Sequence, residues 1–318
     1  MSDRIFYAVQ ALGIQPDDSG PVTWMHGVQS VGITTNFNLE QVFELGQLAL
    51  YENIENVPEI EVTTERVLDG RELTYLVACP DGTGDIVAAS KNKAGIYLVI
   101  YEDTQTAAIG NGSNQLVRCS GMRPSNVTYT FPVEGNSTES VTFVGNSKVW
   151  GNPNSVSLPT SSDYAEISSA TPDAPNDHVF RRKDFSATSN IPIEVTNAGS
   201  KIQNITVTAD IGRENIFQLG QFQPYVKYAN FPVATTCDFE VMAINGDGIS
   251  TSGENPSLSP RNINLVFDNG TKTLTINLGS QNKLTSVNYT GGDTGGGNAT
   301  MTYSFQGFNA FAVTMIDS

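Results

Sequence analysis

The stretch Gly27 to Gly70, GVQSVGITTNFNLEQVFELGQLALYENIENVPEIEVTTERVLDG, decides the fold class. From Pro58 to Leu68 it alternates: Glu59, Glu61, Thr63 and Glu65 share one face, while Ile60, Val62 and Thr64 share the other. That period of two is the pattern of a half-buried strand. Val28 to Phe37 alternates in the same way. Between them, Leu39 to Leu50 begins like a helix but is broken by Gly46.

The stretch recurs. Displaced by 174 positions, Gln29 to Val67 falls on Gln203 to Val241 without a gap, with 11 identities in 39 positions. They are Gln29/Gln203, Thr34/Thr208, Glu40/Glu214, Phe43/Phe217, Leu45/Leu219, Gly46/Gly220, Gln47/Gln221, Tyr51/Tyr225, Asn56/Asn230, Pro58/Pro232 and Val67/Val241. Composition alone gives roughly two or three at a random offset. The copy of the Gly46 region reads RENIFQLGQFQP, and its Pro224 excludes a regular helix, so an ordered loop or hairpin is expected in both places. Two equivalent units in 318 residues, of ~150 residues each, match the usual domain size. The expected division is 1–150, a connector and second arm over 151–200, and 201–318.

Outward from these blocks, the signals are mostly those of strands. Thr83 to Lys93 is the best helix, with Asp85 early, lysines late and Gly95 as its stop. Asp69-Gly70 marks a turn and a possible hairpin. Strands are expected around Ile96–Glu102, Gln115–Cys119, Asn126–Phe131 and Ser140–Val144. In the second unit Ile263–Phe267 resembles Ile96–Ile100, and Asp268-Asn269-Gly270 reads as a tight turn into Thr273–Asn277. Ser125–Thr130 matches Thr285–Thr290 at an offset of 160, so the copy has lost residues. The loss falls near Ser250 to Arg261, where prolines and glycine replace the first unit's helix. The expected fold is mostly β: two tandem antiparallel barrel or sandwich domains, the first with a short flanking helix.

Net charge is −16, divided −10 and −6 between residues 1–150 and 151–318, which argues against a protein that grips a phosphate backbone. The basic run Arg181-Arg182-Lys183 reads as a solvated or subunit-contacting patch. Cys79, Cys119 and Cys237 lack metal or redox spacing and are expected as buried free thiols. No apolar run approaches the ~20 residues of a membrane span, and Met1-Ser2-Asp3-Arg4 does not begin a signal peptide.

No catalytic set, cofactor site or metal site is expected. His26 and His178 lack partners at triad or ligand spacing. Gly291 to Gly297 has no following Lys-Ser or Lys-Thr and reads as a hairpin tip rather than a phosphate loop. Alternate strand residues such as Glu59 and Glu61 stand ~7 Å apart, within reach of glycosidase carboxylate spacing, but no sugar-stacking aromatics accompany Glu59, Glu61 and Glu65. They read as a solvated face, or as a wall that repels passing DNA. At the aligned positions the copy carries Val233, Thr235 and Phe239, so its charge would have to come from Asp238 and Glu240.

Residues 27–70 resemble the signature region of virion structural proteins of tailed bacteriophages, in particular tail tube proteins. The resemblance is clear over about 27–148 and weaker over about 200–318. It implies β-sandwich or β-barrel domains flanked by a helix, closing as rings of six domains around an acidic lumen that conducts DNA. A long loop would reach the neighbouring ring; here it is Asn36 to Asn56 and its copy Asp210 to Asn230. Phe43, Leu45, Gly46 and Tyr51, with Phe217, Leu219, Gly220 and Tyr225, become subunit-contact candidates; the alternative is that they pack each unit's own core. Glu59, Glu61, Glu65, Asp238 and Glu240 become lumen candidates. Three duplicated chains would form a pseudo-sixfold ring. Implied partners are copies of the chain, tail sheath or tape measure, baseplate or terminator proteins, and DNA in transit, with no membrane. The expected location is the virion tail, assembled in the host cytoplasm. Alternatives are a tail hub, adaptor or terminator with two barrels, or a glycan-binding module on the virion surface.

Overall fold

The computed structural model describes residues 10–79, 85–86, 91–101, 114–151, 157–159, 179–196, 201–244, 249, 258–291 and 298–317. Strands dominate. In chain order the first half holds β1 (Gln10–Pro16), β2 (Thr23–Trp24), β3 (Val28–Asn36), β4 (Leu39–Phe43), β5 (Leu50–Glu55), β6 (Glu59–Val67), α1 (Thr74–Ala78), β7 (Ala94–Tyr101), β8 (Asn114–Pro132), β9 (Thr138–Gly145) and β10 (Ser147–Gly151). The second holds α2 (Ile193–Thr196), β11 (Lys201–Asp210), β12 (Arg213–Ile216), β13 (Val226–Ala229), β14 (Ala234–Met242), β15 (Asn264–Asp268), β16 (Lys272–Asn277), β17 (Lys283–Thr290), β18 (Thr300–Phe308) and β19 (Ala312–Asp317). The helix expected over Thr83–Lys93 and the helix loss expected after Ser250 lie almost wholly outside the described residues.

The strand orders of the two halves match. β3-β6-β9-β8 in the first corresponds to β11-β14-β18-β17 in the second, all antiparallel. The N-terminal part of β8 pairs with β7 and β10, as β16 pairs with β15 and β19. One 19-residue strand thus does in the first half what β16 and β17 do separately in the second. β1 covers the free side of β7, and the connector takes that place beside β15 through bridges at Phe185–Phe267 and Asn190–Asn264.

Details recur at the same offsets. A bulge falls at Gln29 in β3 and at Gln203 in β11, and each glutamine amide donates to the carbonyl two residues back, at 3.1 Å in both. A second bulge falls at Ser125 and at Thr285, whose hydroxyls donate to Thr142 O and Ser304 O. Bulges bend and twist a strand, so keeping them keeps the curvature of the sheet. Where β9 and β18 end, Gly145 and Gly307 admit the side chains of Met122 and Asn282; a Cβ at either would lie 2.3 Å from them.

β8 joins the halves. Its C-terminal part pairs with β9 on one side and with β11 on the other, making one continuous eight-stranded sheet, β3-β6-β9-β8-β11-β14-β18-β17. One row crosses all eight strands as Ser30, Glu65, Ser140, Thr128, Thr208, Thr236, Gln306 and Lys283. A row on the opposite face reads Val28, Arg66, Glu139, Tyr129, Val207, Cys237, Phe305 and Leu284. The second face packs on the outer strands in one hydrophobic cluster that spans both halves. Phe131 stacks on Phe267 with ring centroids 3.8 Å apart, and Phe311 sits edge-on to Tyr75 and alongside Tyr129.

The chain after Asp69-Gly70 does not form the hairpin considered for it. It enters α1, a five-residue helix of low intrinsic propensity with no capping side chain of its own. Glu139 supplies the cap from β9: its carboxylate accepts from Thr74 N at 2.8 Å, Tyr75 N at 3.1 Å and the Tyr129 hydroxyl at 2.9 Å. Three donors, two of them at a helix N-terminus, make a buried acid tolerable there.

Candidate assembly surfaces

Both copies of the LGQ motif form the tips of β-hairpin arms. β4 pairs with β5 and β12 with β13, in registers that agree under the 174-residue offset. At the tips, Gln47 N donates to Glu44 O and Gln221 N donates to Gln218 O, closing four-residue turns with Gly46 at φ +91° and Gly220 at φ +88°. Positive φ at the third residue is what a type II turn requires, and glycine supplies it without a steric penalty. The preceding Leu45 and Leu219 are wholly exposed. So are most of Phe43, Tyr51, Phe217 and Tyr225, which excludes packing into each unit's own core. Isolated apolar side chains need no explanation, but two apolar arms do.

The two arms differ at their bases. Arm two folds back on the first half: Arg213 Nε donates to Pro124 O at 2.8 Å, and Ile211 N to Ser125 O at 2.9 Å. Ile211 is 1% exposed, whereas its counterpart Phe37 is 65% exposed. Lys227 is buried on β13, and burial lowers its pKa, with Glu59 opposing that shift and Arg213 and Arg123 adding to it. Burial and the nearby Arg123 lower the Arg213 pKa to about 10. On arm one, all six residues of β5 are exposed.

The sheet edges show the same contrast. At the β8–β11 junction Val127, Tyr129, Val207 and Ala209 are fully buried. The matching residues of the outer edges are not: Tyr289 on β17 is 65% exposed, and Val31 and Ile33 on β3 are half-buried.

The acidic candidates share the solvent face of the eight-stranded sheet. Glu59, Glu61 and Glu65 project from β6, and Asp238 and Glu240 from β14. Sequence alignment at 174 mispairs these strands. Asn36 pairs with Glu59, yet Asp210 pairs with Ala234, one residue beyond the aligned Val233. A one-residue slip exchanges the two faces. Glu65 therefore corresponds to Glu240 and Thr63 to Asp238, whereas the aligned Phe239 and Thr235 point into the core. The missing acidic face of the copy was an artefact of alignment. Thr, Ser and Asn make up most of the rest of this face, with Gln306 and Asp210 among them, and Lys201 and Lys283 stand at strand ends.

Sequence reading missed the Glu139 cap, although an acid in the apolar phase of Glu139, Val141 and Phe143 signals it. Glu139, Arg66 and Tyr129 have no more than 1% exposure, and Arg66 meets Asp69 at 2.5 Å, so this polar set braces the core. Burial, then the Glu139 carboxylate, pushes the Tyr129 pKa well up. Cys79, Cys119 and Cys237 are buried and form no disulfide, and burial pushes Cys119 up to about 11. No group of three or more His, Cys, Asp or Glu side chains that could hold a metal occurs among the described residues, and none of their helices is long and apolar enough to cross a membrane. His178 and the Gly292–Gly297 segment lie outside the described residues.

Among the described residues, these features define an antiparallel β protein whose eight-stranded sheet has two unpaired edges, with two apolar-tipped arms and one polar, acidic sheet face. No family model matches the chain, and no curated protein does. Among solved structures, a chain of the cryo-EM structure of the anti-feeding prophage (AFP) baseplate, 6-fold symmetrised, is similar at a TM-score of 0.36 and 9% identity. The match covers 48% of this chain and 98% of that one. A likeness at that level carries no weight for function.

Proposed function

We propose that the chain is an internally duplicated, ring-forming structural subunit of a phage tail tube, with the acidic sheet face turned to a DNA-conducting lumen. One observation carries the reading: two matched four-stranded sheets are fused at β8–β11 into one sheet whose end strands, β3 and β17, have no partner on their outer side among the described residues, with Tyr289 and the adjoining Phe37 exposed and Val31 and Ile33 half-buried. Open edges invite pairing, and a head-to-tail contact repeated by rotation closes a ring. Three chains would bring about 24 strands, a barrel roughly 40–50 Å across between backbones, which admits duplex DNA. Carboxylates on the wall deny passing DNA the counterion release that drives binding.

Electron microscopy of the purified chain, with its mass in solution, tests the reading. Rings of three chains around a pore, alone or stacked into tubes, are expected; monomers at every concentration would overturn it. Rings that stop at one layer would favour a hub or terminator. Reversing the wall charge with Glu59→Lys, Glu61→Lys and Glu65→Lys should leave rings intact and make them retain DNA at low salt.

A further inference from the structure

We propose that neighbouring chains join by antiparallel pairing of β17 of one with β3 of the next, in the register already set inside the chain by β8 and β11. The inference rests on the ring-forming reading and specifies the contact. β17 corresponds to β8 at an offset of 160, fixed by the shared Thr285/Ser125 bulge and its hydroxyl hydrogen bond. β3 corresponds to β11 at 174, fixed by the shared Gln29/Gln203 bulge. Inside the chain Asp210, Thr208 and Val207 pair with Asn126, Thr128 and Tyr129. Transferring both offsets pairs Asn36 with Ser286, Thr34 with Asn288 and Ile33 with Tyr289 across the boundary.

Faces and burial agree with this register. Ile33 and Tyr289 belong to the core phase of their strands, and Thr34 and Asn288 to the solvent phase, so no side chain changes face on joining. Tyr289 would take up the environment of Tyr129, whose exposure is 0%. Phe37 N–H would reach Thr285 O, as Ile211 N–H reaches Ser125 O. Phe37 would then be covered like Ile211. The occupant is a second copy of this chain, because both halves of the junction are already present and fit each other within one molecule.

Paired cysteines test the register. Directly opposite residues of antiparallel strands have Cα atoms roughly 4.5–5.5 Å apart, within disulfide reach; moving one partner by two residues takes them to about 8 Å, beyond it. The native cysteines are all buried, so mild oxidation reports on introduced pairs. Thr34→Cys with Asn288→Cys should yield covalent oligomers ending in a closed three-chain species, and Thr34→Cys with Thr290→Cys should yield about tenfold less. Rings that form while the second pair cross-links as well as the first, or neither does, would overturn the register and leave the ring intact. Chains that stay monomeric would overturn both.

Discussion

The β8–β11 junction and the two outer edges are built from corresponding residues in opposite states. At the junction Tyr129 and Ile211 are sealed; at the edges Tyr289 and Phe37 stand in solvent. Chemistry does not account for the contrast, since tyrosine meets tyrosine and an aliphatic meets an aromatic. The difference is whether a partner strand is present. The arms repeat the lesson, one docked through Arg213 and the other free along β5.

The largest expected effect separates the two states directly. Tyr129→Ala should cost about 3–5 kcal/mol in chemical denaturation, as removal of a sealed aromatic does. Tyr289→Ala should leave the isolated chain within about 0.5 kcal/mol of the parent and weaken only association, read by mass against concentration. Equal losses from both would break the comparison.

Next comes the brace beneath the first half, which the second lacks because Met301 on β18 takes the place of Glu139. Glu139→Gln should cost about 1–3 kcal/mol, since a neutral amide accepts less strongly and leaves a buried donor facing the Tyr129 hydroxyl or α1. At the corresponding place the Tyr303 hydroxyl donates to Met301 Sδ at 3.9 Å, so Met301→Gln gives the amide oxygen one donor but buries an amide nitrogen that must find acceptors, and should cost a similar amount by that different route.

The smallest effect sharpens the contrast between arms. Lys227 is buried without a hydrogen-bond acceptor for its ammonium among the described residues, so Lys227→Met should stabilise by about 1–2 kcal/mol. Because burial lowers the Lys227 pKa, the folded chain releases its proton before the unfolded chain does. Stability therefore rises with pH between the lowered value and the ordinary 10.5, and the methionine variant should lose that rise in denaturation curves taken across the interval. Asn53→Met, at the exposed counterpart, should do neither.

The arms and their tips were legible in the sequence because glycine at a turn and Pro224 within a helix-like run leave few conformations open. Alternation in Glu59–Val67 fixed which side of β6 meets the core. In Ala234–Met242 the alternation of Cys237, Phe239 and Val241 with Asp238 and Glu240 marks the faces as well, but matching identities without a gap set Glu61 and Glu65 against the core phase, at Thr235 and Phe239. The slip is set by the pairing geometry at the hairpin base, which identities on either side do not record. α1 was hidden for another reason: Thr74–Ala78 has poor helical propensity and is held by a carboxylate 61 residues or more along the chain. The two sheets through which β8 runs were also hidden, since the expected strands around Gln115–Cys119 and Asn126–Phe131 are one continuous element.

The one-residue slip between β6 and β14 makes the two modules poor donors for one another. A chimera that transplants Glu59–Val67 by identity matching would turn glutamates toward Phe305 and Tyr303 and valine outward. Shifting the graft by a single position would restore inside to inside. Homology at the level of letters and homology at the level of faces have parted company here, and protein engineers recombining such tandem modules would have to follow the second.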